Sequence, residues 1–137
     1  MLHELTPEQA AKLARLWQWQ KNQSGWWGRG DFPPADPIRM RYLGLVLGGL
    51  RCEVVDEHSR LWRPSPRELM PDLDDAVTRD GLLRTCRKAW MDDAFAMRSQ
   101  SGKWKVYVRS GLEEHVFEGA TEDAALLAAI LAAPEAK

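Results

Sequence analysis

The stretch Lys103-Trp104-Lys105-Val106-Tyr107-Val108-Arg109-Ser110 carries the clearest strand signal of the chain, because apolar and polar side chains alternate along it. Successive side chains of a strand point to opposite faces of a sheet, so this pattern predicts one apolar face and one basic, aromatic face. The apolar face carries Trp104, Val106 and Val108 and is expected to lie on the core. The opposite face carries Lys103, Lys105, Tyr107 and Arg109.

Two further alternating segments flank this strand, Ala94–Arg98 before it and His115–Glu118 after it. Short turns are predicted at Ser99–Gly102 and Ser110–Leu112, and connections of this length join antiparallel neighbours. The three strands are therefore expected to form an antiparallel meander.

One helix is predicted before the meander in the chain and another after it. The first spans about Ala76–Trp90, with Asp75 or Thr78 as its N-cap. The second starts after Thr121, which can cap it, and ends at Pro134.

The N-terminal part opens with a well-marked helix. Thr6 is predicted as its N-cap, Pro7 occupies the first helical position, and Gln9 completes a capping box. The apolar stripe that follows continues to Trp17, and the helix is expected to end near Gln23.

A second helix is predicted to begin at Asp36-Pro37, because apolar residues recur after it at helical spacing. The residues at this spacing are Ile38, Tyr42, Leu45, Val46 and Gly49. A β-hairpin is predicted next, with strands at Cys52–Val55 and Arg60–Arg63. Residues 24–37, between the two helices, contain three glycines and three prolines and are expected to form a loop.

The predicted element order is α-α-β-β-α-β-β-β-α. It places the protein in the α+β class, with helices packed on a small, mainly antiparallel sheet. A chain of 137 residues fits a single domain. Within it we expect a helical N-terminal part at residues 1–59 and a more regular part at residues 60–133.

Composition excludes several classes of protein. A net charge of −1 excludes strong nonspecific attraction to nucleic acid. The longest apolar run, Tyr42–Leu50, is too short to span a bilayer, and the opening Met1–Pro7 lacks the features of a signal peptide. Cys52 and Cys86 form no spaced set, and unpaired cysteines favour a reducing compartment. We therefore expect a cytoplasmic protein without a membrane segment.

Residues that could carry catalysis or hold a metal are scattered along the chain. His3, His58 and His115 fall on different predicted elements, with no second ligand nearby in sequence. The acidic cluster fits helix capping and a solvated turn better than a calcium loop. It comprises Asp72, Asp74, Asp75 and Asp80. Because no nucleophile, nucleotide-loop or metal-ligand motif is present, we expect a protein that is not an enzyme and holds no metal or cofactor.

Seven tryptophans are unusual in a chain this short, and two of them fall in the predicted loop. The candidate protein-binding residues are Trp26, Trp27, Arg29 and Phe32. Trp and Arg are enriched among the hot-spot residues of interfaces, which favours this interpretation. The alternative is a satellite hydrophobic cluster, since indoles also anchor cores. Of Trp26 and Trp27, one is expected to be buried and the other exposed.

The basic stripe, defined as Lys103, Lys105, Tyr107 and Arg109, is a candidate nucleic-acid-binding face. Basic and aromatic groups on one sheet face can contact phosphates and stack on bases. A solvated outer sheet face would produce the same stripe, because alternation alone generates it. Nucleic-acid binding is therefore the alternative to protein binding.

Three segments carry a resemblance to a known family: Pro71-Asp72-Leu73-Asp74-Asp75, Lys103-Trp104-Lys105-Val106 and Gly119-Ala120-Thr121-Glu122-Asp123. Residues of about 60–133 resemble small proteins of tailed phages and prophages that have an α-β-α "phage sandwich" domain. The resemblance implies an accessory protein that binds a host protein stoichiometrically, as inhibitors of host defence systems such as CRISPR effectors do. It offers no catalytic residue.

Overall fold

The computed structural model describes residues 5–28, 36–91, 96–100 and 102–134, and for residues 96–100 it describes the backbone alone. Helices occur together with antiparallel sheets, which confirms the predicted α+β class. By their contacts the residues group into two compact units, Met1–Gly81 and Leu82–Lys137. The boundary between these N-terminal and C-terminal units lies well after residue 59, where the sequence pattern ends the first part.

The N-terminal unit is built on a sheet of five strands. Their bounds are β1 Ser24–Trp27, β2 Ile38–Val46, β3 Arg51–Val55, β4 Leu61–Trp62 and β5 Met70–Pro71. The strand order is β4-β3-β2-β1-β5, and each neighbouring pair is antiparallel. Helix α1, Pro7–Leu16, precedes the sheet. Its predicted capping box is formed, since the Gln9 amide donates to Thr6 Oγ1 at 3.1 Å and the Thr6 amide donates to Gln9 Oε1 at 3.0 Å.

One face of this sheet, the inner face, forms the core of the N-terminal unit. Residues opposite each other in the register share a face, as Tyr42 and Val54 do. The buried cluster on this face consists of Met40, Tyr42, Cys52, Val54 and Leu69, with Trp19, Trp27 and Trp62 packed against it. The opposite, outer face carries Ser24, Trp26, Arg39, Arg41 and Val55, which the register pairs with one another.

The predicted second helix is wrong, because residues 38–46 form β2, the central strand of the sheet. From Ile38 to Tyr42, apolar residues alternate with arginines, which is the period of a strand. The register shifts between Tyr42 and Gly44, so a β-bulge adds one residue to β2. Because of this extra residue, apolar positions lie three and four residues after Tyr42, which is the spacing typical of a helix.

Two further predictions for the N-terminal part are wrong. Helix α1 ends at Leu16 rather than near Gln23, because Trp17 adopts an extended backbone. The Trp17 indole then donates to the buried side chain of Gln23 at 3.2 Å. Residues 24–27, expected in a loop, form β1 because they pair with β2. The N-terminal part is therefore a sheet unit and not a helical one.

The hairpin between β2 and β3 ends in an exposed apolar tip. A short 3-10 turn spans Leu47–Gly49, and Leu47 has a left-handed φ of 53°. Leu45, Leu47 and Leu50 are exposed by 58%, 71% and 76%. A left-handed backbone suits glycine and strains a side chain with a Cβ, so this turn is locally unfavourable for Leu47.

The C-terminal unit combines the antiparallel meander that the sequence predicts with two helices. Its elements are α3 Gly81–Trp90, which starts at the unit boundary, β6 Ala96–Gln100, β7 Lys103–Ser110, β8 Glu113–Gly119 and α4 Glu122–Ala132. Strand β7 lies between β6 and β8, and α4 packs on β7 and β8. Val106 and Val108 are buried as predicted, whereas Trp104 is only half-buried.

Helix α4 begins close to the end of β8. Thr121 Oγ1 accepts a hydrogen bond from the Ala124 amide at 3.1 Å, which confirms Thr121 as the N-cap. A Cβ atom at Gly119 would lie 2.5 Å from the Ala125 nitrogen and 2.9 Å from the Ala124 carbonyl carbon. Both neighbours are backbone atoms, so position 119 has no space for a side chain.

The predicted helix over residues 76–90 is divided at Asp80 into α2, Ala76–Arg79, and α3. Asp75 caps α2 as predicted, because its carboxylate accepts from the Thr78 amide at 3.0 Å. At the end of α3, the buried Trp90 indole donates to the Ala129 carbonyl at 2.8 Å. Trp90 therefore connects α3 to the last turn of α4 inside the C-terminal unit.

Candidate functional site

Strand β1 places the two adjacent tryptophans of the candidate site on opposite faces of the N-terminal sheet, because side chains alternate along a strand. Trp27 lies on the inner face. Its ring centroid is 5.3 Å from that of Trp62, and its indole donates to Glu68 Oε2 at 3.3 Å. Trp27 thus packs against the core cluster.

Trp26 lies on the outer face, directly opposite Arg39 of β2. The Arg39 guanidinium carbon is 5.6 Å from the Trp26 ring centroid, which is a cation–π arrangement. Both tryptophans are half-buried, so the expectation of one buried and one exposed residue is wrong. The two tryptophan side chains lie on opposite faces of the sheet because this segment is a regular strand. They are not divided into one core residue and one solvent-exposed residue.

A buried carboxylate fixes the position of Arg39. Arg39 Nη2 lies 2.6 Å from Asp72 Oδ2, and the two side chains are 44% and 3% exposed. Asp72 is itself held by two backbone hydrogen bonds: its amide donates to the Ser24 carbonyl at 2.9 Å, and its Oδ1 accepts from the Asp74 amide at 3.1 Å. The guanidinium is therefore oriented by Asp72 while nearly half of its side chain remains open to solvent.

Next to Trp26, the outer face forms a recess of about 300 Å³. Ser24, Arg39 and Arg41 lie along it, and Val55 contributes an apolar side. The turn residues Asp56, Glu57 and Ser59 line it as well. Two arginines and a short stretch of polar turn therefore line the recess.

The turn at 56–59 is held by the Asp56 carboxylate, which has three donors. Its Oδ1 accepts from the amides of His58 and Arg60 at 2.8 and 2.9 Å, and its Oδ2 accepts from the Trp62 indole at 3.0 Å. The Trp62 hydrogen bond, followed by that from the Arg60 backbone, holds the pKa of this carboxyl below its usual value. The turn joins β3 and β4, which confirms the predicted hairpin.

Arg41 differs from Arg39 in its partners. Within the described part of the chain its guanidinium makes no hydrogen bond and no ion pair, and the residue is exposed. Glu57 is likewise exposed and unpaired among these residues. Among the described residues, the recess is thus lined by one paired cation, Arg39, one unpaired cation, Arg41, one hydrogen-bonded anion, Asp56, and one unpaired anion, Glu57.

The basic stripe lies on the face of β7 opposite to Val106 and Val108, as the alternation predicts. Acidic residues of β8 stand across from two of its cations, since Lys105 pairs with Glu118 and Arg109 with Glu114 in the register. Lys105 Nζ lies 3.5 Å from Glu118 Oε1. These carboxylates reduce the positive potential that phosphate contacts require.

The structure also describes the Cys52 thiol, most of the potential metal ligands and the helices. Burial raises the pKa of the Cys52 thiol to about 11, so at neutral pH it is protonated and a poor nucleophile. Among the described residues, no three His, Cys, Asp or Glu side chains converge as metal ligands would. No helix in the same part of the chain is long and apolar enough to cross a membrane. Arg29 and Phe32 lie outside the described residues.

Arg39 and Arg41 are the residues of this site that the sequence analysis missed. The signal was present in the alternation Ile38-Arg39-Met40-Arg41-Tyr42, which puts both arginines on one face of a strand. The helical interpretation of residues 38–49 concealed it. A comparison of the chain with known proteins finds no matching family model, no significantly similar curated protein and no significantly similar solved structure.

Proposed function

We propose that this protein acts by stoichiometric binding of a protein partner, and that the outer face around Trp26, Arg39 and Arg41 makes the contact. Tryptophan and arginine dominate the binding energy of many interfaces, where they occupy the centre of the contact. The resemblance of residues 60–133 to phage proteins supports a host protein as the partner. A component of a host defence system is the specific target we favour.

The observation that carries the proposal is the fixed arrangement of Trp26, Arg39 and Asp72. The ion pair with Asp72 orients the Arg39 guanidinium, and the guanidinium lies over the Trp26 ring. Side chains that are ordered before binding lose less entropy when a partner docks on them. An indole and a guanidinium held in this way on a partly exposed face are suited to recognition by a partner.

The basic stripe is not part of the proposal. Its cations face Glu114 and Glu118 across the strand pair, which favours protein binding over nucleic-acid binding as the function of this chain.

The test is a binding measurement with matched variants. The tagged protein is expressed in a bacterial host, its stoichiometric partner is identified, and the complex is rebuilt from the two purified proteins. We expect Trp26→Ala to raise the dissociation constant by about 30-fold or more, as for a central hot-spot residue. Leu112→Ala, at a fully exposed turn of the C-terminal unit, should leave the affinity within about twofold.

Two outcomes contradict the proposal. One is that no partner forms a stoichiometric complex with the purified protein. The other is that Trp26→Ala binds as tightly as the unmodified chain, which would move the contact away from the outer face.

A further inference from the structure

We infer that the recess on the outer face is a binding site for a single carboxylate group. This inference rests on the proposed function, because it assigns the carboxylate to an acidic residue of the bound protein. It identifies the chemistry that the partner presents to Arg39 and Arg41.

The two arginines are placed to act together. Arg39 and Arg41 are two residues apart on β2, so their side chains project from the same face, with Cα atoms about 7 Å apart. A guanidinium has five N–H donors, of which the bond to Asp72 uses one on Arg39. Arg41 offers its whole donor set, since no described residue is bonded to it. A carboxylate can accept two of these donors side by side, which is the strongest geometry for such a pair.

The surroundings of the recess favour a carboxylate over a phosphate. Glu57 lines the same recess and is unpaired within the described residues, and Asp56 lies beside it. The charges of Arg39, Arg41, Asp56 and Glu57 sum to zero, so the second charge of a phosphate gains no net attraction in the recess and raises the cost of desolvation. The volume of about 300 Å³ is also at the lower limit for small-ligand pockets, which suits one side chain of a larger partner.

Glu57 supplies an internal check on this assignment. Its carboxylate has the same chemistry as the proposed occupant and lines the same recess as Arg39 and Arg41, so it should compete with that occupant. Removal of its charge by Glu57→Gln is therefore expected to strengthen binding. A surface on which Arg41 merely interacts with solvent would not respond in this way.

The experiment follows the arginine side-chain Nε–H resonances by NMR while N-acetylglutamate α-amide is added at constant pH and ionic strength. We expect the Arg41 signal to shift and saturate with a dissociation constant on the order of 1 mM. Arg51 is the matched control, because it is also exposed and unpaired among the described residues but lies outside the recess. The Arg51 signal should not saturate. N-acetylglutamine α-amide, which has no side-chain charge, should shift neither the Arg41 nor the Arg51 signal.

Variants and a second anion complete the test. The Arg39 signal should shift with the same dissociation constant in the unmodified protein, and Arg41→Ala should abolish that shift. The backbone amide spectrum of Arg41→Ala should overlay that of the unmodified protein. Glu57→Gln should lower the dissociation constant by about threefold, as expected for removal of one nearby surface charge. Inorganic phosphate should bind more weakly than the glutamate derivative.

The inference is overturned if Arg41 and Arg51 respond alike, if phosphate binds more tightly than the carboxylate, or if Glu57→Gln does not strengthen binding. Because the titration needs no protein partner, its failure leaves the proposed function untouched. Failure to find a partner would equally leave a positive titration in place.

Discussion

Single substitutions of Trp26 and Trp27 by alanine test whether Trp26 serves recognition of a partner while Trp27 serves packing of the core. The two positions are adjacent on β1, carry the same side chain and are both half-buried, so they form a matched pair. Trp27 contacts the core cluster and Trp62, whereas Trp26 contacts the exposed guanidinium of Arg39.

The expected loss of stability differs between the two. Truncation of a fully buried tryptophan costs about 3–5 kcal/mol, so a half-buried one that leaves a cavity should cost about 2 kcal/mol. Loss of the Trp27–Trp62 ring contact adds about 0.5–1.5 kcal/mol, which gives about 2–4 kcal/mol for Trp27→Ala. Trp26→Ala opens space on the outer face, away from the core cluster, where water can enter. It should cost about 1 kcal/mol, mostly the cation–π contact with Arg39.

Urea unfolding followed by far-UV circular dichroism measures both values without depending on the fluorescence of the removed indole. Trp27→Phe is the control, since it keeps an aromatic ring on the inner face and should recover most of the loss. If Trp26→Ala costs as much as Trp27→Ala, then Trp26 is a packing residue, and the reasoning that reserves the outer face for a partner fails. The double variant Trp27→Ala, Arg29→Ala should lose stability as well, as the satellite-cluster alternative expects and the protein-binding interpretation of Trp27 does not.

Two further predictions concern stability. Trp90→Phe removes the indole donor to the Ala129 carbonyl and should lower the free energy of unfolding by about 1–3 kcal/mol in urea melts. The half-buried Trp104→Phe is its control and should cost less than about 1 kcal/mol; equal losses would mean that the hydrogen bond contributes nothing. Because the folded-state pKa of Asp56 is lowered, its stabilising contribution is complete above the ordinary value of 3.8 and is lost as the pH falls through the folded-state value. Urea midpoints measured between about pH 6 and about pH 2.5 should therefore fall less steeply for Asp56→Asn, and parallel curves for the two proteins would exclude this role.

The parts of the fold that the sequence predicts correctly are those set by neighbouring residues. The alternation in β7 and the caps at Thr6, Asp75 and Thr121 each depend on a few consecutive side chains, and each is observed. Residues 38–46 were predicted incorrectly because a bulge at Leu43 breaks the alternation that marks the strand.

The candidate site was only partly predictable for a different reason. Trp26 could be singled out by residue type, but its partner Arg39 is set by strand pairing, and Asp72 lies 33 residues from Arg39 in sequence. Strand β1 itself follows from pairing with β2 and β5, although its glycine-rich surroundings are typical of loops. Such long-range partners leave no local pattern that a single sequence could show.

The close approach of β8 and α4 at Gly119 has a consequence for tracing the ancestry of this chain. Leucine, isoleucine and valine can replace one another in a core with modest loss, so the buried positions of distant descendants would drift apart. Position 119 has no such freedom, because a single added carbon would meet the backbone of Ala124 and Ala125. Gly119, followed at a fixed distance by the capping Thr121, should therefore be retained longer than the apolar core residues, and it is a feature by which distant relatives could be recognised.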